Sequence, residues 1–253
     1  MKGAMSGAIF RIGSVTISTF GLFLALSYIF ATFLFWREGK KQGFNEEKLL
    51  DASLIILISA LVGARALFVI MHPLEITDLE FFTLWKGGLS FPGAIIGSAI
   101  GSYFYCKRQK WSYLTILDLA SIASLLALAI SSLGLHFSGS EWGLRTNLPW
   151  AVEFIGVLGK RHPTGIYLSI FAFVIFFLVY RIYRKNPKEG LIFFLSLFLF
   201  GLSKLTVDYL KEGQNLYLSA ALAIAGLSGL YFKIGRSVRQ DLVRFFSFLP
   251  KRR

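Results

Sequence analysis

The chain has 253 residues, of which 55% are hydrophobic and only 16% charged, and a formal charge of +13. A soluble domain carries about a quarter charged residues, so this composition argues against a soluble enzyme. The cations fall between apolar runs, so their excess reads as membrane topology and attraction to anionic lipid, not nucleic-acid binding. The single cysteine, Cys106, excludes an intrachain disulfide and a cysteine-built metal site.

Seven apolar spans are expected, at about 15–36, 49–71, 87–106, 114–137, 165–183, 190–210 and 215–235. Each approaches the roughly 20 residues that a helix needs to cross a bilayer. Lipid offers the backbone no hydrogen-bond partner, so each span is expected to be helical, and the strict alternation of a barrel strand is missing. The expected fold class is all-α: a polytopic membrane protein, residues 1–253 forming one integral domain. The first run is longer than a signal-peptide core of roughly 7–15 residues and is expected to stay in the protein. Eighteen lysines and arginines fall on one side of the spans, seven on the other and two inside them. The positive-inside rule then places the N-terminus outside and the C-terminus in the cytoplasm.

In chain order, Arg65 lies in span two, six residues from its outer end. Asp51 and Asp118 stand at the starts of spans two and four, where the helix dipole favours them. The connection 72–86 carries Glu75, Asp78 and Glu80 and runs into Trp85-Lys86-Gly87-Gly88. In span three, Gly93, Gly97 and Gly101 share one face at four-residue spacing, which reads as close helix packing in lipid. Between spans four and five, 138–164 mixes glycine, proline, tryptophan and charge. A connection that long is usually functional, and it is expected to form a small outer head.

In span six, Lys204, Asp208 and Lys211 share a face at i, i+4 and i+7. Lys204 is set roughly 9 Å below the outer end, from the 1.5 Å rise per residue. Intramembrane charges at that depth mark function, although snorkelling around a structural Lys204–Asp208 pair is the plainer alternative. A cationic pocket there suits a phospholipid phosphate. His72, His136 and His162 all fall at the outer ends of spans or in outer connections, where each is a candidate general base or an interfacial polar residue. No metal-ligand spacing joins them. The tail 236–253 is basic and aromatic, either an amphipathic surface segment or a disordered arm in the cytoplasm.

Several stretches together resemble the prolipoprotein diacylglyceryl transferase family. Phe20-Gly21-Leu22 is similar to its aromatic-Gly-Leu in helix one, and Gly63-Ala64-Arg65 to its Gly-Gly-Arg in helix two. Trp85-Lys86-Gly87-Gly88-Leu89-Ser90-Phe91 is similar to the family's Trp-x-Gly-Gly-Met-Ser-Phe, and Arg161-His162-Pro163-Thr164 with Tyr167 to its Arg-His-Pro-Thr/Ser-Gln-Leu-Tyr. Phe200-Gly201 with Lys204, Asp208 and Lys211 keeps the spacing and sign of a Tyr-Gly-x-x-Arg-x-x-x-Glu-x-x-Arg motif. Pro92 stands where the family has a histidine often assigned to catalysis. Ser131-Ser132-Leu133-Gly134-Leu135 lacks the head signature's Arg and Asn. Glu141 and Arg145 sit one place off an expected Glu and Arg.

The resemblance implies a bacterial cytoplasmic-membrane enzyme with seven helices, N-out and C-in, and a periplasmic head between helices four and five. It would move a diacylglyceryl group from phosphatidylglycerol to the thiol of a lipobox cysteine in a lipoprotein precursor. No cofactor or metal is expected, and no nucleic-acid partner. Lys204 and Asp208 are expected in catalysis, with His162 as first candidate base and His136 as second. Arg65, Gly87, Gly88, Ser90, Arg145 and Tyr167 are expected to bind substrate. A non-catalytic relative that binds lipid or the precursor is the alternative. A solute transporter lacks a polar path through the inner half of the spans, and a retinal protein has only Lys204 in its favour.

Overall fold

The computed structural model describes residues 8–12, 15–72, 88–213 and 216–233. Gly87, most of the connection 72–86 and the tail 236–253 lie outside the described residues. Seven helices run through the described residues: α1 Thr19–Lys41, α2 Glu46–Met71, α3 Phe91–Gln109, α4 Tyr113–Phe137, α5 Thr164–Tyr183, α6 Leu191–Tyr209 and α7 Tyr217–Lys233. Five of them, α1, α2, α4, α5 and α6, are long and apolar enough to cross a membrane; α7, at 17 residues, is apolar but shorter.

The all-α expectation holds, with two short strand pairs beside the helices. Residues 15–18, expected to open the first span, form strand β2 (Val15–Ser18), which pairs antiparallel with β1 (Ala8–Ile12). Val15, Thr16 and Ile17 are β-branched, and their stiff side chains favour extended backbone. A second small sheet joins β3 (Val152–Glu153) to β4 (Lys160–Arg161) inside the head segment. Span three also begins later than expected. Ser90 caps α3, its hydroxyl accepting from the Gly93 amide at 3.5 Å, and Pro92 sits in the first turn, where its missing amide hydrogen costs nothing.

The chain forms two compact units, one of Ile29–Ala123 and the other of Met1–Tyr28 with Ser124–Arg253. In the first unit, α2 packs on α3 through glycine. A Cβ on Gly63 would lie 2.5 Å from the Gly93 carbonyl oxygen and 2.7 Å from the Gly97 Cα, so the backbones touch. Asn45 caps α2 by accepting from the Lys48 amide at 3.1 Å, and Glu46 and Glu47 complement its dipole. In the second unit, α6 packs on α7 through Gly201, whose Cβ would stand 2.7 Å from the Ala223 Cα. The Ser169 hydroxyl of α5 donates to the Ala129 carbonyl of α4 at 2.7 Å.

Large apolar side chains face outward on several helices, among them Val62, Phe104, Phe177 and Ile224, each more than 55% exposed. Water would penalise so much exposed apolar surface, and lipid does not. With the five long apolar helices, this makes the chain a multi-pass membrane protein.

The glycine contacts carry a consequence for stability. Gly97→Leu drives a side chain into the Ser59 backbone oxygen of α2. It is expected to cost about 1–3 kcal/mol as overpacking. The exposed neighbour Ile96→Val is expected to stay within about 0.5 kcal/mol of wild type. Unfolding of the two detergent-solubilised variants measures the difference.

Candidate functional site

Four charged groups line up where α6 meets the head. The i, i+4 spacing brings the Lys204 ammonium onto both Asp208 carboxylate oxygens, at 2.9 and 2.8 Å. Lys211 lies 3.6 Å from the same carboxylate and 2.5 Å from Glu141 Oε1 in the head. The order Lys204, Asp208, Lys211, Glu141 alternates in sign and sums to zero. The side chains of Lys204 and Asp208 are 17% and 8% exposed. Charges so far out of water persist only when each finds an opposite partner.

Backbone hydrogen bonds fix the head against the end of α6. The Leu144 amide donates to the Leu210 carbonyl at 2.7 Å, the Gly143 amide to the His162 carbonyl at 3.0 Å, and the His162 amide back to Leu144 at 3.1 Å. Gly143 is required there: a Cβ would meet the Leu210 oxygen at 2.7 Å and the His162 Cβ at 2.8 Å. Arg161, buried on β4, donates to the Gly143 carbonyl at 3.4 Å and pairs with Glu212, one residue beyond Lys211. Two ion pairs from consecutive residues, Lys211 and Glu212, therefore tie α6 to the head.

The two candidate bases sit differently. His162 Nδ1 is 3.2 Å from the Tyr167 hydroxyl, which also accepts from the Trp150 indole N–H at 2.7 Å. That chain orients the His162 ring. His136, in the last turn of α4, lies between the rings of Phe137 and Phe154, with centroids at 5.4 and 5.5 Å, and the backbone of Gly165 lies close against it. Its Nδ1 is buried with no hydrogen-bond partner, as are Glu141 Oε2, Arg161 Nε and Thr164 Oγ1.

Of the residues expected from sequence, Lys204 and Asp208 come together, and so do His162 and Tyr167. Arg145 bridges to Arg161 in the head but is exposed and does not join the α6 ion chain. Arg65, Gly88 and Ser90 belong to the other unit and build one turn there. Arg65 is buried and donates to the Gly88 carbonyl at 3.0 Å, Gly88 has φ +77°, and the Ser90 amide donates to Ala64 at 3.0 Å. Sequence reasoning left Glu141, Arg161, Glu212, Lys211 and Trp150 out of the site. Lys211 had a visible signal, since two lysines on one face with a single aspartate demand a second acid. Among the described residues no cluster of His, Cys, Asp and Glu is arranged to hold a metal.

Asp208→Leu leaves Lys204 unpaired and is expected to cost roughly 3–5 kcal/mol. The double variant Lys204→Met/Asp208→Leu removes both charges and is expected to recover most of that loss. Denaturation in detergent measures both; equal losses in the two variants would contradict a charge-pairing role.

The model of the family described as prolipoprotein diacylglyceryl transferase matches residues 7–236. Among curated relatives, phosphatidylglycerol–prolipoprotein diacylglyceryl transferases are similar to this chain. The one from Clostridium tetani is 31% identical, covering 82% of this chain and 86% of its own. That from Finegoldia magna is 32% identical over 85% and 87%, and that from Clostridioides difficile 30% over 89% and 92%. A match of this extent, over both units and the ion chain between α6 and the head, shows that the chain belongs to the prolipoprotein diacylglyceryl transferase family.

Proposed function

We propose that this protein transfers the diacylglyceryl group of phosphatidylglycerol to the thiol of a lipobox cysteine in a lipoprotein precursor. It would do so at the outer face of the bacterial cytoplasmic membrane. The family and the relatives' names support the reaction. The observation that carries it to this chain is the ion chain Lys204–Asp208–Lys211–Glu141, whose first three residues keep the family's helix-six spacing. We take all seven helices to cross the membrane, N-terminus out and C-terminus in, with 138–164 as periplasmic head and 236–253 as cytoplasmic tail. The distribution of lysine and arginine supports that orientation.

The precursor sulfur forms a bond to the glyceryl carbon that carries the phosphate. The carbon–oxygen bond to phosphate breaks, glycerol phosphate leaves with the electron pair, and the thiol proton passes to a base. Lys204 and Lys211 would stabilise the charge that grows on the leaving phosphate, with Asp208 orienting both and Arg145 drawing the anionic headgroup to the head. His162, held by Tyr167, is our base, because an oriented imidazole meets the geometric demand of proton transfer. His136 is the second candidate. For the other unit we propose separately that Arg65, Gly87, Gly88 and Ser90 handle lipid.

Two observations favour a non-catalytic, lipid- or precursor-binding relative. Lys204 and Lys211 are already neutralised by acids, and Pro92 replaces a histidine of the family motif.

Labelled phosphatidylglycerol and a peptide bearing the lipobox cysteine, incubated with purified protein in detergent, decide between the two. Label is expected on the peptide, and Lys204→Ala is expected to lower the rate by about 100- to 1,000-fold. His162→Gln is expected to cost about 100- to 10,000-fold. Full rate in the double His162→Gln/His136→Gln variant would remove histidine as the base. No transfer by folded protein, beside an active family member, would leave the binding reading.

A further inference from the structure

The head presents an exposed apolar surface beside the site. Between β3 and β4 the loop 154–159 turns through Gly156 (φ +82°) and Gly159 (φ +81°). Phe154 points inward and is 7% exposed, while Ile155 and Leu158 point outward at 75% and 80%. Trp150 and Leu148 add exposures of 57% and 38% on the approach to β3. Two exposed cations, Arg145 and Lys160, stand on the same segment.

Two contacts set the level of this surface relative to the membrane-crossing helices. The Trp150 indole is hydrogen-bonded to Tyr167 in the first turn of α5. The Phe154 ring stacks edgewise on His136 in the last turn of α4. Both pins lie at the ends of helices long and apolar enough to cross a membrane, and the ends of a spanning helix meet the headgroups. Leu158 precedes the start of α5 by only six residues, a reach of at most roughly 20 Å. An amphipathic tryptophan at that level is typical of the membrane–water interface.

We propose that residues 148–160 are a membrane-dipping hairpin. Ile155 and Leu158 insert among the acyl chains of the adjacent leaflet, Trp150 lies at its headgroups, and Arg145 and Lys160 meet anionic phosphates. The partner is the phospholipid surface itself. The hairpin holds the head down on the leaflet, so that a lipid headgroup reaches His162 and Tyr167 without leaving the interface. The proposal needs α4 and α5 to cross the membrane but not the transfer reaction, so each can fail alone.

The test places a nitroxide label at Ile155→Cys, Leu158→Cys or Glu153→Cys in the full chain, reconstituted in phosphatidylglycerol–phosphatidylethanolamine vesicles. Native Cys106 is 2% exposed, and wild type, expected to take up no label, is the control. Labels at 155 and 158 are expected to collide more with dissolved oxygen than with a water-soluble nickel chelate, and the label at 153 the reverse. Water-like accessibility at all three positions overturns the proposal. So does protection at 155 and 158 that appears only when a lipobox peptide is added, since the surface would then be a docking site for the precursor.

Discussion

Asp208 is the residue on which the site depends. It receives Lys204 through both oxygens and lies within reach of Lys211, which in turn holds Glu141. In a poorly solvated setting two lysines on one helix face repel each other and resist burial. One aspartate between them and one glutamate from the head turn that liability into a neutral chain. Without it Lys204 would have no acid beside it, and Lys211 would be left with Glu141 alone.

Glycine supplies the matching steric condition. Gly143 lets the head backbone lie against Leu210 and His162, and Gly165 lets α5 approach His136 at the end of α4. These are places where a side chain would force elements apart. The hydrogen bonds of Leu144 to Leu210 and of Gly143 to His162 form only at that separation. Ion pairing and backbone contact therefore support one another: the glycines bring the head close enough for Glu141 and Arg161 to reach Lys211 and Glu212.

The membrane helices were legible from the lengths of their apolar runs, because lipid imposes helix on any such segment. The first strand pair was not, since Val15–Ser18 is apolar enough to continue the span and only its β-branched residues oppose the helix. The pairing of Lys204 with Asp208 followed from i, i+4 spacing, a local rule. Glu141 and Arg161 lie 70 and 51 residues from their partners, and such contacts leave no periodicity to read. The same holds for Trp150 and Tyr167, whose meeting depends on how the head folds back over α5. Arg65 was legible as a cation within an apolar run, but its bond to Gly88 rests on a left-handed glycine that the motif alone did not reveal.

The closed ion chain and the open cations of the head should answer differently to ionic strength. Mobile ions screen exposed charges beyond a Debye length of about 8 Å in physiological saline, while partly buried pairs are shielded much less. Lys204, Asp208 and Lys211 would hold their arrangement in brine as in dilute buffer. Arg145 and Lys160 would lose much of their pull on an anionic surface, so added salt separates the part of the molecule that keeps its shape from the part that draws its surroundings in.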